Sequence, residues 1–110
     1  MPVLINLNFA TAAGTGGALQ VSDGEPLLGD EITPSGSNQV SDLVVPANVR
    51  NRLIWTIENV TTDGIFLRFY QSDASPAPTA LTGVKRRYVG PGEVQAYGAK
   101  PGQRVAIANA

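Results

Sequence analysis

The sequence predicts an all-β fold: an antiparallel β-sandwich or small jelly roll of about 7–8 short strands with an extended N-terminal arm. Three observations predict it. Twelve glycines and eight prolines interrupt every window long enough for an ordinary helix. β-branched residues are prominent in the apolar set, and they suit a pleated surface better than a helix. Turn signals recur about every ten residues, the length of one short strand and its turn. At 110 residues the chain suits one domain, and a domain of that size buries roughly 65% of its unfolded surface without covalent staples.

The elements follow in chain order. Val3, Ile5, Leu7 and Phe9 alternate with Asn6 and Asn8, a period of two that predicts a half-buried strand. ATAAGTGGA, residues 10–18, is small and flexible and predicts a linker or arm. Residues 19–39 scatter Leu19, Val21, Leu27, Leu28 and Ile32 among Gly, Asp, Ser and Pro, and predict extended or looped chain. The organisation is therefore an N-terminal strand with a Gly/Ala/Ser-rich arm and loops over 1–39, and a sandwich body over 40–110, within a single domain.

VSDLVV, residues 40–45, predicts a short strand closed by Pro46. RLIWTIENV, 52–60, is the clearest strand, with Leu53, Trp55 and Ile57 on one face and Trp55 as the core anchor. Asp63-Gly64 then stands between two β-rich runs, a hairpin signal. IFLRFYQS, 65–72, returns with Ile65, Leu67 and Phe69 on its core face, expected to pack on the Trp55 face together with Val94, Val105 and Ile107. DASPAPTALTG, 73–83, is a Pro-rich loop. VKRRYV (84–89), EVQAY (93–97) and RVAIANA (104–110) are the last strands, separated by Pro91-Gly92 and Pro101-Gly102. Proline presets the second position of a type II turn and glycine supplies the positive φ that follows, so Gly92 and Gly102 are expected at positive φ.

Composition excludes much chemistry. Without cysteine there are no disulfides, thiolate metal sites or cysteine nucleophiles. Without histidine the commonest general base and metal ligand are missing. A net charge of −1 gives no global attraction to nucleic acid or anionic membrane. The distribution says more. Residues 1–49 hold five carboxylates and no Lys or Arg, whereas 50–110 hold eight basic residues against four acidic ones. That split suggests an acidic arm meeting a basic body, within one chain or between neighbours. MPVLINLNFA lacks a basic segment and a long apolar core, so cytosolic synthesis without a signal peptide is expected. No apolar run approaches the ~20 residues that cross a bilayer. Asn59-Val60-Thr61 matches a glycosylation pattern, which without an export signal reads as coincidence.

No constellation points to catalysis, a cofactor or a metal. GTGGA, 14–18, lacks the Lys and Ser/Thr of a phosphate loop and any helix context. Asp23, Glu25, Asp30 and Glu31 are oxygen ligands without EF-hand spacing, and suit solvated or arm-docking roles better than a cation site. A carboxylate pair for glycoside hydrolysis needs an aromatic-lined cleft that spacing cannot demonstrate. Lys85-Arg86-Arg87 with Tyr88 resembles a single-strand nucleic-acid grip, but the charges and aromatics are few. The cluster is better read as a guard on an exposed sheet edge or as a contact for the acidic arm. Phe66, Arg68 and Tyr70 share the non-core face of their strand, either as a two-sided core or as a protein interface. The interface candidates are thus Phe66, Arg68, Tyr70, Lys85, Arg86 and Arg87, with Asp30 and Glu31 on the acidic side.

RLIWTIENV, GIFLRFY, YVGPGEVQAY and KPGQRVAIANA together resemble a pattern of small virion proteins of tailed bacteriophages. The pattern is an apolar-Trp-Thr-Ile-Glu-Asn strand, a hairpin, a further strand, then Pro-Gly and a closing strand ending in Ala-Asn. It covers about half the chain, from Arg52 to Ala110. Residues 1–49 resemble the extended segments by which capsid decoration and head–tail proteins reach neighbours. The resemblance implies a non-enzymatic virion subunit, foremost a capsid decoration (cement) protein, or another head–tail or tail subunit. Its implied partners are the major capsid or other virion proteins and further copies of itself, with a trimer favoured; nucleic acid, membrane and cofactors are not expected. A small carbohydrate- or receptor-binding module is the alternative, and it would show tyrosine or tryptophan clustered on a solvent-facing patch.

Overall fold

The structure is a computed structural model that describes residues 2–13, 19–22, 28–47 and 53–110, with 9–13 and 19–22 described through their backbone alone. It is all-β. Nine strands are described: β1 Val3–Ala13, β2 Leu19–Ser22, β3 Leu28–Ile32, β4 Gln39–Val40, β5 Leu53–Asn59, β6 Ile65–Gln71, β7 Arg87–Val89, β8 Val94–Gly98 and β9 Gln103–Asn109. Two antiparallel sheets pack as a sandwich. The first runs β3–β1–β5–β8, with β2 pairing further along β1; the second runs β4–β9–β6–β7.

The period-two faces meet between the sheets. Val3, Ile5 and Leu7 of β1 and Leu53, Trp55 and Ile57 of β5 form one wall; Ile65 and Leu67 of β6 and Val105 and Ile107 of β9 form the other. Trp55 is fully buried, as its anchoring role requires, and its Nε1 donates to Gln103 Oε1 at 2.9 Å. A buried indole needs such an acceptor, because an unpaired N–H in the core costs about 1–3 kcal/mol. Phe69 packs against this core from its edge, but Val94, expected within it, is 58% exposed on β8.

The connections depart from expectation. Asp63-Gly64 does not make a hairpin: β5 lies in the first sheet and β6 in the second, so residues 60–64 are a corner between sheets. Gly64 is needed there for another reason, since a Cβ at this position would collide with the Tyr88 ring. Both Pro-Gly turns are also corners. Pro91-Gly92 carries the chain from β7 back to the first sheet, and Pro101-Gly102 from β8 to β9 in the second. Each closes with a backbone bond of 3.1 Å, Glu93 N to Gly90 O and Gln103 N to Lys100 O. Gly92 and Gly102 have φ of 74° and 80°, as the type II geometry requires.

Other boundaries shift. Residues 19–39, expected as extended or looped chain, contain the extended β2 and β3. The segment 10–18, expected as a linker, continues β1 to Ala13, while 14–18 lie outside the described residues. β4 ends at Val40, although Val45 N still donates to Gln103 O, so the VSDLVV segment follows β9 irregularly. β7 begins only at Arg87, which leaves Lys85 and Arg86 in the preceding loop. Asn8, placed by alternation on the polar face, is 5% exposed.

The outer face of the second sheet carries a small second core. Ala106 and Ala108 of β9 are fully buried there, with Ala80 of the Pro-rich loop against them and Tyr70 alongside. Alanines on this face let the loop approach closely. Asn38 Oδ1 pins the loop by accepting from Ala80 N at 2.8 Å.

Candidate functional site

The sandwich is open along one side. β8 edges the first sheet and β7 edges the second, and between them lies a cleft of about 860 Å³. Its floor is the end of the core. Phe69 of β6 and Tyr97 of β8 meet there with ring centroids 5.0 Å apart, and Gln103 adjoins them. Among the described residues Lys85, Arg87 and Lys100 line the rim, Arg86 borders it with its guanidinium turned away, and no carboxylate lines it.

Local structure sets each cation's role. Arg87 is opposite Leu67 in the β6–β7 register, and Leu67 faces the core, so Arg87 points between the sheets. Burial pushes the Tyr97 hydroxyl above its ordinary value of 10.0; the Arg87 charge opposes this and the Glu93 charge adds to it. Arg86 is held elsewhere. Its guanidinium carbon is 3.9 Å from the Phe66 ring centroid, Nε donates to Gly83 O at 2.9 Å and Nη1 to Leu81 O at 3.0 Å. Tyr88 meets the same Phe66 ring edge-on at 5.7 Å. Lys85 and Lys100 are exposed.

The predicted residues therefore divide into three groups. Phe66, Arg68 and Tyr70 are half-buried on the outer face of the second sheet, where Arg86 lies over Phe66 and Ala80 of the 72–86 loop packs beside Tyr70. Lys85 and Arg87 belong to the cleft, and Lys100, which the local cluster did not include, joins them across the Pro101-Gly102 corner. Asp30 and Glu31 sit on β3, at the opposite edge of the first sheet. Asp30 is engaged there: its Oδ2 accepts from Ser41 Oγ at 2.7 Å and its Oδ1 from Glu31 N at 2.8 Å. Asp23 and Glu25, with the 14–18 glycines, lie outside the described residues. Among the described residues no three carboxylates gather as a metal site, and no helix is long and apolar enough to cross a membrane.

Sequence reasoning missed Asn59. It is fully buried, and Nδ2 donates to Asp63 O (2.9 Å), Val89 O (3.2 Å) and Gly90 O (3.1 Å). Its Oδ1 accepts from Thr61 N (3.0 Å) and Thr61 Oγ1 (2.6 Å). The Asn-Val-Thr triplet is thus a tie between two corners, and its amide is inaccessible to a glycosyl transfer in the folded state. The signal in the sequence was Asn59 at the end of a strand just before a Thr-rich turn, a position where amide side chains bond to backbone.

The arrangement can grip a negatively charged or extended partner. Comparisons with protein-family models, curated proteins and solved structures return no match.

Proposed function

We propose that this chain is a structural, non-enzymatic virion subunit of the capsid-decoration kind, which binds a protein shell through several weak contacts. One observation carries the reading: β1 continues past its described pairing with β5 and there pairs with β2. Among the described residues β1 pairs with β5 from Val3 to Phe9, while Ala10–Ala13 pair with β2. Four residues of strand extend about 13 Å, a length that can reach a neighbouring subunit. A small sandwich with such a strand extension suits adhesion, where linked weak contacts give avidity. Of the aromatics a carbohydrate-binding alternative would use, Trp55 is buried and Tyr97 faces the cleft, while half-buried Tyr70 shares the outer face of the second sheet with exposed Tyr88.

The test is co-sedimentation with phage capsid shells stripped of decoration. The full chain is expected to pellet with shells, and a variant with residues 10–22 replaced by an Asn-Gly turn to stay in solution while keeping its β-sheet circular dichroism. Full shell binding by the folded, shortened variant would overturn the role given to the strand extension, and absence of binding by the full chain would overturn the decoration reading.

A further inference from the structure

We propose that copies of this chain associate head to tail through the two edges of the first sheet, the acidic β3 edge of one copy docking on the basic β8 edge of the next. The inference rests on the assembly reading above and supplies its contact. Three observations carry it.

The edges are free of strand partners: among the described residues β3 pairs only with β1, and β8 only with β5. Each therefore offers a row of backbone N–H and C=O groups that another strand can complete. The two strands also match in length at five residues, and each exposes an apolar side chain, Leu28 at 38% and Val94 at 58%.

The charges are opposite. Asp30, Glu31 and exposed Asp42 mark the β3 side, with half-buried Arg104 behind them held on Ser41 O. β8 itself is uncharged and exposed Glu93 precedes it, but Lys85, Arg87 and Lys100 mark the cleft beside it, a net positive balance. Pairing β8 with β8 would bring cations together, and pairing β3 with β3 would bring carboxylates together. Only the unlike pairing is attractive, so the charge pattern selects a heterologous contact over a two-fold one. Heterologous contacts close into rings or run on as filaments. An acidic strand is favoured over nucleic acid as the occupant, because the chain supplies the complementary acidic edge itself and the cleft offers a sheet edge that nucleic acid cannot use.

The test uses the full chain and measures its mass by sedimentation equilibrium against concentration and salt. Self-association is expected at low salt and should weaken as screening rises, since the Debye length shrinks from ~30 Å at 0.01 M to ~3 Å at 1 M. Two charge reversals, Arg87→Glu with Lys100→Glu and Glu31→Lys with Asp42→Lys, should each weaken association by about tenfold or more, and an equimolar mixture should restore it. Asp30 is left intact because it bonds to Ser41. Circular dichroism and thermal midpoint confirm that both variants fold. A wild-type monomer at every concentration would sink the assembly reading itself. Association that survives both reversals, or that the mixture fails to restore, would sink only the edge-to-edge contact. Salt-sensitive binding of a fluorescent single-stranded oligonucleotide, lost in the Arg87/Lys100 variant and unaccompanied by self-association, would overturn the proposal in favour of nucleic acid.

Discussion

On the β3/β4 side of the sandwich, Ser41 Oγ donates across the gap to Asp30 Oδ2 and also accepts from Leu43 N. Arg104 Nη2 adds a bond to Ser41 O at 2.8 Å. On the β7/β8 side Asn59 of β5 ties the sheets at one end by reaching Val89 O at the end of β7 and Gly90 O just after it. Toward the other end, near Lys100 and Gln103, the sheets meet through the Trp55 Nε1 bond to Gln103 Oε1 and the Phe69–Tyr97 ring contact, and then part into the cleft. The same core thus has one side closed by polar bonds and another held by the Asn59 hub at one end and by a single side-chain bond and a ring contact at the other. A small sandwich can open a cleft on the side where one hub carries most of the closure.

The sharpest way to break this comparison is to remove each side's tie. Asn59→Ala removes the amide donor from Val89 O and the acceptor from Thr61 N, while Gly90 O keeps Glu93 N and Asp63 O keeps Thr61 Oγ1. Losing the bonds of a fully buried amide should cost about 2 kcal/mol or more. Ser41→Ala frees a carboxylate that water can reach, and should cost about 1 kcal/mol. Urea unfolding followed by Trp55 fluorescence measures both. Equal losses would show that the two sides are held alike and that Asn59 is no hub.

The second test separates the two ends of the open side. Gly92 sits at the pinned end and Gly102 at the cleft end, both at positive φ. Alanine at either should cost about 1 kcal/mol through backbone strain. A Cβ on Gly92 meets nothing within 4 Å, whereas one on Gly102 meets Gln71 Oε1 at 2.8 Å. Gln71 is a flexible side chain that can swing away, so Gly102→Ala should exceed Gly92→Ala by only about a few tenths of a kcal/mol. Gly98→Ala, with open space and no positive φ, is the control and should be neutral. A neutral Gly92→Ala would show that the corner tolerates another turn.

These residues also mark how far the sequence could be read. Strands with period-two burial were legible because burial on one face leaves alternation behind, as in Leu53, Trp55 and Ile57. Pro-Gly was legible because positive φ is a local demand. Sheet membership was not: a turn such as Asp63-Gly64 records that the chain reverses, not which sheet receives it. β3 was hidden because an edge strand exposed along much of its length, LGDEI, need not alternate. The basic cluster was visible as Lys85-Arg86-Arg87, but its partition was not. Folding turns Arg86 outward onto Phe66, keeps Arg87 in the cleft and brings Lys100 from another corner. Asn59 was legible only in part: its bonds to Thr61 and Asp63 follow from its place before a Thr-rich turn, whereas Val89 O and Gly90 O, about thirty residues away, are encoded by no local pattern.

The smallest effect probes the cleft floor itself. Burial holds the Tyr97 hydroxyl above 10.0, Arg87 pulling it back and Glu93 pushing it further. In the unfolded chain the same hydroxyl ionises at its ordinary value, so between the two values the folded state binds more protons than the unfolded state. The sign follows from linkage: Tyr97 leaves stability unchanged below about pH 10 and lowers it as pH rises past that point. Tyr97→Phe should flatten this alkaline decline while leaving stability at neutral pH nearly unchanged. Arg87→Gln should do the reverse, since it removes the opposing charge and moves the hydroxyl still higher. Absorbance at an alkaline tyrosinate band, followed across pH in the wild type and both variants, reads the shift directly. If Arg87→Gln left the Tyr97 titration where it was, the Arg87 side chain would not stand over the cleft floor.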